Sequence, residues 1–583
     1  MSFEVVASSR VERVTYTPWQ HVLIVGLQMG FALVLLALIG ILGLFNKRPI
    51  IVGELTLGYA AIGLMFLMAG IMVAKKRLFA TAGELVLGGA IAGGLAACIL
   101  SALTLIISLY NLRWIFVALD PLLLKMLTFT FSTATGIGLM ILTGVIVGAL
   151  GAVMLVLPDR AARPLIYGLA AAGVAGLFQE VIRPIFANSR VTLPLHNLLY
   201  TWTGLTLQGA IVIFLVAAGL TLLWQAYGGQ VKERYHALPA PTRKRIRWGY
   251  IALAIVLFTL FPAFAGNFIG QVLLMVALFT LMGMGLNLEV GLAGLLDLGF
   301  VAFYAVGAYV TGLLTADSPF AIAHLSFWVA MPIAVACSVL TGILFGIPVL
   351  KVRGDYLAVA TLGLGEIVRV IVLSDAAAPL LAGAKGILQI PRPEIGNYVF
   401  TTPVSLFYLA FAASLIAAYC AWRLEDSRLG RAWKAIRDDE DVAQALGINL
   451  VKVKLLAYGM GAAFAGLAGS LFAVMLGSIY PHSFQLIISI NILALIIVGG
   501  MGSLPGVVVG AAVLIGLPEM LREFGEFRFL FYGLAIILVM RLKPEGLWPS
   551  AARRREMQLD AEALAEQQAA AAAPGETTSL QKA

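Results

Sequence analysis

Long apolar runs, separated by short polar intervals, repeat from one end of the chain to the other. They lie near 21–45, 50–74, 84–109, 134–157, 164–182 and 204–224 in the first part. They resume near 248–266, 271–288, 291–315, 327–350, 355–373, 404–422, 455–476, 486–500, 507–521 and 529–541. A helix rises 1.5 Å per residue, so about 20 apolar residues cross a hydrocarbon core of about 30 Å. The pattern predicts an all-α, polytopic transmembrane helix bundle of about sixteen spans. The weakest span is the fifth, which ends in Gln179, Glu180 and Arg183. The first run is longer than the apolar core of a signal peptide and lacks a small-residue cleavage pattern, so it reads as a retained anchor.

The polar intervals orient the bundle, because Lys and Arg gather on the cytoplasmic side. With the N-terminus inside, the inner loops of the first six spans hold Arg10, Arg13, Lys75, Lys76, Arg77, Arg160, Arg163 and the basic stretch Lys232–Arg247. The outer loops hold Lys47, Arg48, Arg113, Lys125, Arg183 and Arg190. The same alternation puts Lys351, Arg353, residues 423–454 and Arg553-Arg554-Arg555 inside, and Ser374 to Phe400 outside. Both termini are then cytoplasmic.

Composition agrees with a lipid solvent. The 583 residues are 61% hydrophobic and 12% charged, with mean hydropathy +0.98. Soluble chains carry roughly 25% charged residues. The net charge of +9 belongs to inner loops rather than to a nucleic-acid surface. The 61 glycines suit helices that pack backbone to backbone where no hydrophobic force joins them. Cys98, Cys337 and Cys420 sit in apolar stretches and read as buried free thiols. His21, His196 and His236 are isolated, so neither a metal site nor a cofactor is expected. No carboxylate pair, Ser/His pair or HExxH stands out, which argues against an enzyme. Residues 557–583 are rich in Ala, Glu and Gln and read as a low-complexity cytoplasmic tail.

The segment 423–454 carries two helical patterns between strong spans. Leu429, Trp433 and Ile436 share one face of the first, with Arg428, Arg431 and Lys434 elsewhere. Asp438 is placed to cap the second, and Asp439, Glu440 and Asp441 fill its first turn, where the helix dipole favours acids. Val442, Ala443 and Leu446 form a small apolar face, and Gly447 stands where a left-handed cap is wanted. Two readings stand: a knob for a groove on a soluble partner, or a solvated connector.

At this point the residues resemble a family. The run Asp441-Val442-Ala443-Gln444-Ala445-Leu446-Gly447 is similar to the loop by which permeases of ATP-binding-cassette importers grip their ATPases. Four further stretches resemble the LivM type of branched-chain amino acid permeases: Gly285–Tyr309, Gly354–Val370, Gly499–Ala511 and Lys543–Arg555. The resemblance covers about residues 250–556. It implies a permease core over 247–556, preceded by an N-terminal membrane extension over 1–246 that aligns with no known module. It assigns the ATPase-coupling surface to Arg431, Lys434, Arg437, Asp438, Asp439, Glu440, Asp441, Ala443 and Gly447. Candidates for the translocation path in the same stretches are Asp297, Tyr304, Tyr309, Glu366, Gly499 and Gly500.

The resemblance also implies partners and place. These are a second, LivH-like permease subunit, two cytoplasmic ATP-binding subunits and a periplasmic substrate-binding protein, in the bilayer of a bacterial inner membrane. The chain itself has no GxxxxGK[ST] phosphate loop. Two alternatives stay open: a permease for urea or short amides, and a secondary transporter driven by an ion gradient. The latter wants buried carboxylates, of which Asp297 and Glu366 are few.

Overall fold

The computed structural model describes residues 17–550, except 77, 78, 80, 188–191, 202, most of 238–258, 350, 351, 353 and 526, together with single positions beyond 550. The run near 248–266 and the tail 557–583 fall largely outside the described residues. So do Arg10, Arg13, Arg77, Arg190, Arg243, Lys244, Lys351, Arg353, Arg553 and Arg554. The chain divides into two compact units, Met1–Thr259 and Leu260–Ala583.

Among the described residues, eleven helices are long and apolar enough to cross a membrane, or twelve if one bent pair counts as a span. The protein is a multi-pass, all-α membrane bundle. Of the five expected spans missing from the eleven, the one near 248–266 lies largely outside the described residues, and the other four have physical causes. Three expected spans are too short or broken: Val301–Thr315, Leu504–Met520 and Phe527–Leu542. The fifth is the bent pair, Asp159–Leu177 and Gln179–Ala187, turning by 82°. Gln179 sits at the bend and is buried. Its Nε2 donates to the Pro49 carbonyl at 3.0 Å, and its Oε1 accepts from the Leu205 N–H at 3.0 Å. The polar residue that weakens the apolar run is thus the one that ties the bend to two short hairpins, Pro49–Ile51 with Leu55–Thr56 and Tyr200–Thr201 with Gly204–Leu205.

In the first unit, Thr17 and Gln20 form a reciprocal cap that starts the helix Pro18–Ile39. One face of this helix, Val22, Val25, Gly26, Gly30, Leu33 and Ala37, is buried. The opposite stripe, Leu23, Leu27, Phe31 and Leu35, is exposed at helical spacing. A continuous aliphatic stripe of that kind belongs against lipid. The helices Ala82–Leu109 and Thr133–Val156 pack along Gly89, Gly93, Gly144 and Gly148. A Cβ on Gly93 would collide with the Gly144 carbonyl, and one on Gly148 with the Gly89 carbonyl.

The second unit is built around Leu450–Leu476, which is started by the Asn449 cap and stopped by Gly477 at φ +70°. Asn267–Leu286, Val301–Thr315 and Phe327–Val349 pack against it. After Leu286 the helix widens into a π turn, Asn287–Leu292, and then breaks until Val301. Every residue from Asn287 to Ala293 is buried, so protein rather than lipid covers the irregular backbone there. Outside the long helices, Arg392 anchors the segment after Leu373: its Nη1 donates to the carbonyls of Val474 and Met475 at 2.6 and 2.7 Å.

The cysteines correct an expectation. Cys98 and Cys420 are exposed and Cys337 is half-buried, all as free thiols. They lie on helices with apolar outer faces, so lipid rather than protein covers them.

The glycine contact in the first unit predicts a stability effect. Gly93→Val should destabilise it by about 1–3 kcal/mol through overpacking. Gly63→Val, at a glycine with no atom within 4 Å of a Cβ, should change little. Thermal unfolding in detergent followed by circular dichroism distinguishes them, and equal midpoints for the two variants would contradict this packing.

Candidate coupling and translocation site

The segment expected to couple folds as an elbow of two short helices, Arg428–Asp438 and Glu440–Ala445. Ser427 caps the first, accepting from the Gly430 N–H at 3.2 Å. The cap of the second is Asp439, not Asp438: its Oδ1 accepts from the N–H groups of Asp441 and Val442 at 2.9 and 3.0 Å. Asp438 instead ends the first helix, whose last residue it is. Gly447 has φ +88°, the left-handed conformation expected of it.

The apolar residues separate into two groups. Trp433, Ile436 and Ala443 are buried, while Val442 and Leu446 are 55% and 77% exposed. The expected common face of Val442, Ala443 and Leu446 is therefore split, with Ala443 turned inward. The buried group fastens the elbow to the core. Trp433 Nε1 donates to the Val453 carbonyl at 2.8 Å. Lys454, 5% exposed, holds Glu440 at 2.5 Å. Lys434 pairs with Glu425 at 3.1 Å, and Arg431 donates to the Asp426 carbonyl at 3.0 Å. Burial of the Lys454 ammonium is tolerable only because a carboxylate meets it.

Arg437 points the other way. Its Nη1 donates to the carbonyl of Gly291, inside the π turn, at 2.5 Å. Its aliphatic stem covers Gly294, where φ is +72° and a Cβ would come within 3.0 Å of the Arg437 Cγ. Next to it, Asn287 Oδ1 accepts the Gly502 N–H at 2.8 Å. The elbow and the broken helix are thus joined by a charged donor on a backbone carbonyl that helix geometry has abandoned.

The break also holds ionisable groups. Asp297 is 1% exposed, and its Oδ1 accepts the Gly299 N–H at 2.7 Å. Glu289 is fully buried, lies against Asp297, and seats its carboxyl on Gly461, where any Cβ would overlap it. Thr361 braces the break by accepting the Leu298 N–H at 3.0 Å. A small cavity beside Asp297 is lined by Thr361, Phe303, Phe345 and Tyr458. A carboxylate pair therefore exists where none stood out in the sequence. Glu289 was missed although an acid inside the apolar run 271–288 and its continuation was the available signal.

The remaining expected residues fall into other places. Tyr304 and Tyr309 are buried in an aromatic cluster, with Tyr304 5.2 Å from Phe472 and 5.4 Å from Phe484, and Tyr309 5.7 Å from Phe484. A second small cavity joins Tyr309 and Phe484 to Arg369 and Val301. Glu366 is bound to Arg369 one helical turn on, through both Nε and Nη2. Gly499 and Gly500 form a packed turn under the Gly546–Trp548 segment, whose Leu547 and Trp548 N–H groups donate to the carbonyls of Val498 and Gly499 at 2.8 and 2.9 Å. The structure brings Asp297 to the break and Tyr304 and Tyr309 together. It places Glu366 in an ion pair and the two glycines in a turn.

Residues 268–540 match the family described as branched-chain amino acid transport system permease component. The chain is 32% identical to the high-affinity branched-chain amino acid transport system permease protein LivM of Salmonella typhimurium, over 64% of this chain and 92% of the relative. It is 35% identical to LivM of Escherichia coli, over 52% of this chain and 74% of the relative. LivH of Escherichia coli is 24% identical over 46% of this chain and 90% of that protein. No solved structure matches. The break, the elbow and the central helix all lie inside the matched region, and the chain belongs to the LivM-type family of branched-chain amino acid transport permeases.

Proposed function

We propose that this chain is the transmembrane permease subunit of an ATP-binding-cassette importer that carries branched-chain amino acids across a bacterial inner membrane. A LivH-like permease completes the path, two cytoplasmic ATPases drive it, and a periplasmic binding protein delivers leucine, isoleucine or valine. Both termini and the elbow 423–454 face the cytoplasm. Residues 247–556 form the permease core, and residues 1–246 form an N-terminal membrane extension.

The observation that carries the proposal is the two-ended elbow. One end offers exposed Val442 and Leu446 beside the left-handed Gly447, with open space around its α-carbon. The other end holds the Gly291 carbonyl through Arg437. An ATPase that moves the first end pulls on the broken helix at the second. Differential contact with two states of that helix is what coupling requires. The names of the LivM and LivH relatives, both permeases of branched-chain amino acid systems, support the substrate class and the pairing.

The direct test is reconstitution of the permease pair with ATPases and binding protein in vesicles. Leucine uptake should require ATP, and uptake by this chain alone would contradict the proposal. Two substitutions separate the ends of the elbow. Gly447→Val strains a position at φ +88° and should reduce co-purification of the ATPases while membrane insertion is unchanged. Arg437→Ala should leave the ATPases bound and hydrolysing, yet lower uptake per ATP roughly 5- to 150-fold, the range of ordinary coupling energies. Equal losses of hydrolysis and uptake in Arg437→Ala would remove its role as a link.

A further inference from the structure

Glu289 and Asp297 are both carboxyls, both essentially inaccessible, and packed against each other in the bundle interior. Neither Oε atom of Glu289 nor Oδ2 of Asp297 meets a donor, and the buried Tyr458 hydroxyl beside them has no partner either. The Gly299 N–H meets Oδ1 of Asp297, and the Thr361 hydroxyl stands beside the same carboxyl.

The surrounding elements supply no cation. From Leu450–Leu476, Tyr458 and Gly461 face the pair, and Lys454, one turn before Tyr458, is spent on Glu440. From Asp355–Leu373 comes Thr361, and from Phe327–Val349 comes Phe345. From the elbow comes Arg437, which is held on the Gly291 carbonyl. No Lys, Arg or His among the described residues neutralises either carboxyl.

Two adjacent carboxylates in such a place repel each other, and each carries an unpaid desolvation cost of several kcal/mol. One bound proton removes both problems. It neutralises one acid, and the O–H of that acid donates to the other carboxylate. We propose that Glu289 and Asp297 form a proton-binding site, holding one proton between them, and that this proton keeps the broken helix in the packed form seen here. The proton is taken up from water and returned to it; only the carboxyl O–H bond forms and breaks. The orphaned Tyr458 hydroxyl and the small cavity lined by Asp297, Tyr458 and Thr361 lie where a proton would enter or leave. Loss of the proton leaves two charges side by side and favours a form in which water reaches the break.

The inference stands on the geometry of the break and not on the substrate. It is tested on the intact transporter complex by infrared spectroscopy. The complex should show a carboxylic acid C=O band that shifts in D2O, is lost on raising the pH, moves in frequency in Glu289→Gln and in Asp297→Asn, and is absent when both are replaced. Uptake per ATP should fall as the medium is made alkaline in the wild type. It should stay flat in Glu289→Gln, whose amide N–H replaces the shared proton as donor. A band that is missing in the wild type, or that survives unchanged when both residues are replaced, overturns the proposal. So does a rise in unfolding temperature with Na+ or K+ that is lost in Glu289→Gln, because the pair would then hold a metal cation instead. The spectroscopic result does not depend on transport, so failure of the substrate assignment would leave it intact.

Discussion

A helix that opens inside a packed membrane bundle leaves carbonyl and N–H groups that lipid cannot satisfy. The break between Asn287 and Val301 meets that constraint with contacts from distant parts of the chain. Arg437 supplies the Gly291 carbonyl from the elbow, Gly502 donates to Asn287, and Thr361 accepts the Leu298 N–H. None of these partners is local. The break is therefore stable only in the company of the elbow, the turn after Gly499 and the helix Asp355–Leu373. Movement of any of them withdraws a hydrogen bond from a buried backbone group, at a cost of about 1–3 kcal/mol. This makes the break a place where displacement of the elbow is felt.

Close backbone contact does the rest. Gly307 lies on the Gly466 carbonyl and Gly469 on the Tyr304 carbonyl, and a Cβ at Gly307 or at Gly469 would meet backbone it could not avoid. Helices so close cannot deform gradually, because there is no side-chain layer to absorb the shift. Interfaces of this type change between discrete packings. A link through one guanidinium can then select between two arrangements, rather than bend one. The elbow itself is stiffened by Trp433 on Val453 and Lys454 on Glu440, which fasten both of its helices to the central helix.

Much of this was legible in the sequence, and the rest was not for definite reasons. Run length and hydropathy revealed the long spans because lipid imposes them residue by residue. The capped, left-handed end of the elbow was legible because Gly447 and the acidic first turn are local signals. The cap was assigned one residue early because Asp438 and Asp439 are chemically equivalent, and only the Oδ1 contacts of Asp439 decide between them. Val301–Thr315 looked like part of a full span because a π turn and a buried break leave apolar composition unchanged. Arg437 read as one more base on a basic helix, since its partner Gly291 lies 146 residues away. The pairing of Glu289 with Asp297 was hidden by the same turn, which folds eight positions of sequence back on themselves in a way no regular helix would.

The central claim is that the elbow and the break move together. Hydrogen–deuterium exchange on the assembled transporter measures it, comparing the nucleotide-free complex with one trapped in the ATP-bound state. The account predicts that amide protection changes in 428–446 and in 287–300 together. A change confined to 428–446, with 287–300 equally protected in both states, would contradict it.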